Sequence, residues 1–123
     1  MDQITATIHK GLTLEKWSSL GLDGMLGNIG SETYRALQAK KQGNKEKYLA
    51  ALGRALELID LTSVVIIQGD RPSRAYEIGR LREIVADAYD SGDQYPDGLE
   101  YADKYCMDFA IRSQKSFIAT RPS

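Results

Sequence analysis

The sequence predicts an all-α protein whose four long helices form an antiparallel up-down-up-down four-helix bundle. Apolar residues recur at steps of three and four in four separate stretches, the spacing that places them on one face of a helix. Short breaks rich in glycine, aspartate or proline separate the stretches, and each predicted helix is roughly 30 Å long. Because the links are short, consecutive helices must lie antiparallel.

Residues 1–12 are predicted to form an extended N-terminal arm, and residues 13–123 a single four-helix-bundle domain. The letters ITATIH alternate apolar and polar residues, as a short strand does. We find no partner strand for it in the chain, so we expect an extended arm that is available for pairing across a subunit contact. Thr13 followed by LEKW is typical of an N-cap and one short helical turn.

The first two long helices are predicted over residues 22–42 and 45–65. Gly43 suits the position just after a helix end, and Asn44 suits an N-cap. The letters SVVII at 63–67 are rich in β-branched residues, so we expect the second helix to fray there or to become briefly extended.

The last two long helices are predicted over residues 72–89 and 99–119, with the loop DSGDQYPDG between them. Pro72 suits a first helical turn because the N–H that proline lacks has no partner there. The apolar stripe of the third helix keeps the helical period through Ala75, Ile78, Leu81, Val85 and Ala88.

Composition and charge exclude several classes of protein. A chain of 123 residues with 42% apolar and 27% charged residues is one soluble globular domain. No apolar run reaches the roughly 18 residues of a membrane span, and a formal net charge of −1 gives no global attraction to membranes or nucleic acids. The first residues lack a secretory-signal pattern and Cys106 is the only cysteine, so we expect a cytoplasmic protein.

The letters GLDGMLGNIGSE at 21–32 place a glycine at every third position. The spacing matches neither a dinucleotide-binding fingerprint nor a P-loop, and apolar residues keep the helical period through the run. Each glycine costs a helix about 1 kcal/mol relative to alanine, so something must be gained in return. We predict that Gly24, Gly27 and Gly30 form a groove for a neighbouring helix or subunit.

The sequence contains few candidates for catalysis and predicts no cofactor. One histidine, His9, and one cysteine cannot build the ligand sets of zinc or di-iron sites. Cys106 has no histidine nearby in sequence and is predicted to be a small core residue.

Two carboxylate pairs, Glu57 with Asp60 and Glu83 with Asp87, lie one helical turn apart. All-α nucleoside triphosphate pyrophosphohydrolases hold Mg²⁺ on such pairs, and the letters LREIVADAY resemble one of their helices. That family also has an earlier pair of carboxylates, whereas in this chain Glu32 stands alone. Ion pairing with nearby arginines is the alternative interpretation.

Four motifs, TLEKW, LGNIGSE, RALELIDLT and RLREIVAD, resemble those of a small, largely uncharacterised family of bacterial and archaeal four-helix-bundle proteins. The resemblance covers roughly residues 12–112. In length and helix layout the chain is also remotely similar to the proteins encoded by intervening sequences of ribosomal RNA genes, and to the accessory variability proteins of diversity-generating retroelements.

These remote groups form pentameric rings of four-helix bundles, and the accessory proteins bind a reverse transcriptase and nucleic acid through basic surface. The resemblance therefore implies a homo-oligomeric, non-enzymatic binding or scaffold module. The alternatives are a nucleic-acid-binding accessory protein and a Mg²⁺-dependent nucleotide hydrolase. The implied candidates for nucleic-acid binding are Arg35, Lys40, Lys41, Lys45, Lys47, Arg54, Arg71 and Arg74.

Overall fold

The computed structural model describes residue 9, residues 11–69 and residues 72–120, with side chains described for all of these except 72–73 and 113–120. The predicted all-α class is confirmed. The described part of the chain folds into five helices: α1 (Leu14–Ser18), α2 (Gly21–Lys41), α3 (Lys45–Gln68), α4 (Pro72–Asp90) and α5 (Gly98–Thr120). The predicted N-terminal arm lies outside the described residues except at 9, 11 and 12.

Local capping chemistry sets where α1 and α3 begin. The Thr13 hydroxyl accepts a hydrogen bond from the backbone N–H of Lys16, and the Asn44 side chain accepts one from Lys47. Gly43 has φ of +69°, the left-handed conformation that lets a glycine end a helix. Both caps and the glycine stand where the sequence predicted them.

The end of α3 differs from the prediction. The helix continues to Gln68, beyond the predicted end at residue 65, and the β-branched letters SVVII are helical. A β-branched residue lowers helix propensity by only a fraction of a kcal/mol. Ile66 is buried on this last turn, so packing outweighs the local preference.

Each long helix packs against two others. α2 contacts α3 and α5, α4 also contacts α3 and α5, and α1 packs on α2 and α3. Between α2 and α5, Gly27 faces Ala110 and Gly30 faces Cys106, so the residue numbers rise along one helix as they fall along the other. The helices enclose one apolar core, whose largest fully buried apolar side chains are Leu26, Ile29, Leu52, Ile59, Ile78, Val85 and Cys106.

No helix in the described residues has both the length and the apolar character that a membrane crossing needs.

A buried hydrogen bond attaches the short helix α1 to α3. The Trp17 side chain is 2% exposed, and its indole Nε1 donates to Oγ1 of Thr62 at 2.9 Å. The same hydroxyl donates to the carbonyl of Leu58 at 2.8 Å. Every polar atom of this pair is therefore satisfied inside the core, where an unpaired donor is costly.

Thr62→Val is expected to lower the free energy of unfolding by about 1–3 kcal/mol, because it leaves the buried Trp17 N–H without an acceptor. In a Trp17→Phe variant, Thr62→Val should lower the free energy of unfolding by about 1 kcal/mol less, because phenylalanine has no N–H that could be left without an acceptor. Urea unfolding of the four proteins of this double-mutant cycle measures the difference. Purely additive effects would show that the hydrogen bond does not hold α1.

Candidate functional site

Two surface grooves run along the flanks of α2 and meet at Tyr34 and Arg35, which line both. The α2–α5 groove, of about 460 Å³, is lined by Gly27, Gly30, Ser31, Tyr34, Arg35, Asp103, Met107 and Ala110. The α2–α3 groove, of about 420 Å³, is lined by Tyr34, Arg35, Gln38, Ala39, Gln42, Lys47, Ala50, Ala51 and Arg54.

Two of the three predicted groove glycines lie directly against α5. A Cβ on Gly30 would stand 2.9 Å from Cβ of Cys106, and one on Gly27 would stand 3.4 Å from Cα of Ala110. Gly24 differs, because its Cβ would meet only Leu20, just before α2. The glycines at 27 and 30 thus let α2 approach α5 closely, and with Ala110 they give the groove a lining of small residues where the two helices meet.

Gly30→Ala is expected to lower the free energy of unfolding by about 1–3 kcal/mol, because the new methyl group meets Cys106 and must push α2 from α5. Gly79→Ala on α4 is the matched control. A Cβ at Gly79 would find open space, so that variant should gain about 0.5–1 kcal/mol from helix propensity. Denaturant unfolding measures the free energy of unfolding of both variants. An equal increase in both would contradict the close contact between Gly30 and Cys106.

A buried carboxylate organises the α2–α3 groove. Glu32 on α2 is only 6% exposed; its Oε1 accepts from Nη1 of Arg35, and its Oε2 accepts from Nε of Arg54 on α3 at 2.8 Å. Removing a carboxylate from water is costly unless both oxygens are paired, and here both are. Glu32 therefore fixes two guanidinium groups side by side, one from each helix.

Sequence reasoning missed this arrangement. The spacing of three residues between Glu32 and Arg35 is a recognisable sign of an ion pair on one helix. The partner Arg54 comes from the following helix, 22 positions later, and only the packing of α2 on α3 brings it close.

The basic residues predicted for nucleic-acid binding that the structure describes are distributed over several parts of the surface. Arg35, Lys47 and Arg54 line the α2–α3 groove, and Lys41 and Lys45 are exposed beside the α2–α3 turn, outside the residues that line it.

Two further candidates, Lys40 and Arg74, lie elsewhere in the described part of the chain. Lys40, near the end of α2, lies 3.8 Å from the carboxylate of Glu100, near the start of α5. Arg74 on α4 pairs with Glu77 at 2.9 Å, and Arg71 lies outside the described residues.

The carboxylates proposed for Mg²⁺ on α3 are engaged with other groups. Asp60 accepts from Nε of Arg82 at 2.7 Å, an exposed pair between α3 and α4. Glu57 accepts from the backbone N–H of His9 at 2.9 Å, and its Oε1 lies 3.2 Å from the ring Nδ1 of the same residue. Glu57 thereby attaches His9, which precedes α1 in the chain, to α3.

The carboxylates on α4 shape the loop that follows. Asp87 accepts from the backbone N–H groups of Gln94 and Tyr95, at 3.2 and 2.8 Å, and Glu83 lies 3.5 Å from the Tyr95 hydroxyl. Across the described ranges, no group of three or more His, Cys, Asp or Glu residues could hold a metal ion. Of these four carboxylates, Asp60 has an arginine partner, as the ion-pairing interpretation predicts.

Cys106 lies at the contact of α2 and α5 and is fully buried. Burial, with a smaller contribution from the nearby charge of Asp103, raises the pKa of its thiol to about 12. At neutral pH the side chain is a neutral thiol, and a neutral thiol is a poor nucleophile. Its role is to pack against Gly30.

Alkylation of native Cys106 by iodoacetamide at pH 8 should be at least about a hundredfold slower than in the urea-unfolded chain, because both burial and the raised pKa suppress the thiolate. Raising the pH from 7 to 9 should speed the reaction of the unfolded chain and leave the native rate low. Mass spectrometry of the quenched reaction measures both rates, and rapid native labelling would show an accessible thiolate.

Comparison of the chain with protein-family models, with curated proteins and with solved structures gives no match. The resemblance to the bacterial and archaeal helical family therefore stays a prediction.

Proposed function

We propose that the chain is a non-enzymatic binding or scaffold module, an antiparallel up-down-up-down four-helix bundle that associates with further copies of itself. The observation that carries the proposal is the α2–α5 groove, an open and largely apolar groove whose lining includes Gly27, Gly30 and Ala110. The pentameric ring of the resembled groups is the assembly that we propose for it.

The helix contacts support the bundle. The α2–α3 link is a short turn at residues 42–44. Each of the four long helices contacts the next one along the chain, and α5 also contacts α2, so that the four helices form a closed ring of contacts. Opposed residue numbering along α2 and α5 is what antiparallel neighbours show.

Exposed apolar side chains border the α2–α5 groove. Tyr34 and Met107, which line it, are 51% and 44% exposed, and Ile111, one turn after Met107, is 43% exposed. Single exposed apolar residues are ordinary, but several around one channel are typical of an association surface. Small residues where α2 and α5 meet let a helix of another protein come close.

The charges at the groove favour a second copy as the occupant. Its lining includes one cation, Arg35, and one anion, Asp103, so the surface is close to neutral. Two copies that meet through this face would not repel each other, whereas a strongly charged partner would gain little from it.

The contacts of the chemically reactive side chains support a role without catalysis. Glu57, Asp60 and Asp87 are engaged with neighbouring groups, and the Cys106 thiol is buried and neutral. In these contacts the three carboxylates join neighbouring segments or shape a loop, and the thiol packs in the core.

Light scattering on the purified protein is expected to give a mass several times that of one chain, close to that of a pentamer. Met107→Asp places a charge at the edge of the groove and should reduce the mass to that of one chain. Tyr89→Asp on α4 is the control, because Tyr89 is exposed to a similar extent, 47%, outside the groove.

The two results separate the parts of this proposal. A wild-type mass of one chain would contradict self-association. A large wild-type mass that Met107→Asp leaves unchanged would contradict the α2–α5 groove as its surface.

A further inference from the structure

The α2–α3 groove is strongly cationic. Three of the described residues that line it, Arg35, Lys47 and Arg54, carry positive charge, and none of its described lining residues carries a carboxylate. The buried carboxylate of Glu32, which is bonded to both arginines, contributes one negative charge. The balance of about two positive charges matches the charge of a phosphate monoester at neutral pH, about −1.5 to −2.

Glu32 fixes the positions of Arg35 and Arg54 and leaves other N–H groups of both guanidinium groups available to bind an anion. Arg54 uses only its Nε toward Glu32, and in the described part of the chain its two Nη groups have no hydrogen-bond partner. Arg35 uses one Nη and is 60% exposed at its side chain. A guanidinium group presents paired donors that match two oxygens of a phosphate, and fixing it beforehand reduces the entropy lost on binding.

The turn between α2 and α3 lies at one end of this groove, where Gln42 and Lys47 line it. The end of α2 and the start of α3 carry opposite partial charges that offset each other there, so the positive charge of the groove comes from its side chains.

The remaining lining fits an aromatic base. Tyr34 is half-exposed at the rim, and the amides of Gln38 and Gln42 offer both donors and acceptors. A volume of about 420 Å³ lies within the range of small-molecule sites. Exposed tyrosines beside a cationic groove are a common way to stack nucleobases.

We propose that the α2–α3 groove binds a nucleotide, with Arg35, Arg54 and Lys47 around its phosphate and Tyr34 against its base. The inference goes beyond self-association and needs only one chain, because the groove lies between two helices of that chain, although Tyr34 and Arg35 also line the α2–α5 groove. Free nucleotides and single-stranded nucleic acid share this chemistry, and the experiment distinguishes them.

The test is a titration of the isotope-labelled protein followed by amide NMR, with adenosine 5′-monophosphate, adenosine and a short single-stranded oligoadenylate as probes. The monophosphate should shift resonances of the groove residues, and adenosine should not. Lys47→Gln, at an exposed position, should weaken binding several-fold, and Arg54→Gln about tenfold or more.

Arg80→Gln is the matched control, because Arg80 is an exposed arginine on α4 outside this groove. Unchanged affinity in this variant, together with losses in the other two, would support the site. An equal loss in Arg80→Gln would overturn it, as would the absence of groove shifts with both phosphate-bearing probes.

The dependence of affinity on the length of the probe and on salt concentration distinguishes a free nucleotide from single-stranded nucleic acid as the ligand. Oligoadenylate that binds much more tightly than the monophosphate, with affinity falling steeply as salt rises, identifies single-stranded nucleic acid as the ligand. Comparable affinities identify the free nucleotide. The Met107→Asp variant keeps every residue that lines the α2–α3 groove, so it should still bind the monophosphate as a single chain.

Discussion

The close approach of α2 and α5 at Gly27 and Gly30 is the constraint on which the rest of the structure depends. A side chain at Gly30 would overlap Cys106, so the separation of these two helices is fixed by the absence of a Cβ. With α2 held in this way, its two flanks become fixed surfaces. One is the apolar α2–α5 groove and the other is the cationic α2–α3 groove.

Paired polar groups then fix the neighbouring helices. Glu32 ties α3 to α2 through Arg54, and Trp17 ties α1 to α3 through Thr62. In the part of the chain that the structure describes, no buried side-chain nitrogen or oxygen lacks a hydrogen-bond partner. Because an unpaired buried group costs more than a pair gains, these contacts select one arrangement of the helices more than they add stability.

Much of the fold could be predicted from the sequence because helices leave local signals. Apolar periodicity located the four long helices, and the Asn44 cap and Gly43 marked the α2–α3 turn. The end of α3 was predicted too early, because the burial of Ile66 is a tertiary effect that outweighs the β-branched preference.

The candidate site was less predictable, for a physical reason. Glycine spacing suggested a groove, but only three-dimensional packing shows that Gly27 and Gly30 meet α5 while Gly24 does not. Arg35, Lys47 and Arg54 were among eight basic candidates, and their convergence on one groove depends on how α3 lies against α2. A net charge or a list of lysines and arginines carries no information about that convergence.

Native-state hydrogen exchange tests the central claim most directly. If the α2–α5 contact holds the structure together, the amides around Gly30 and Cys106 should exchange only by global unfolding, with the same free energy as the slowest amides of α3. Exchange of the α2 and α5 amides at a much lower free energy, while α3 stays protected, would contradict the account. It would show that α2 can leave α5 without disturbing the rest of the protein.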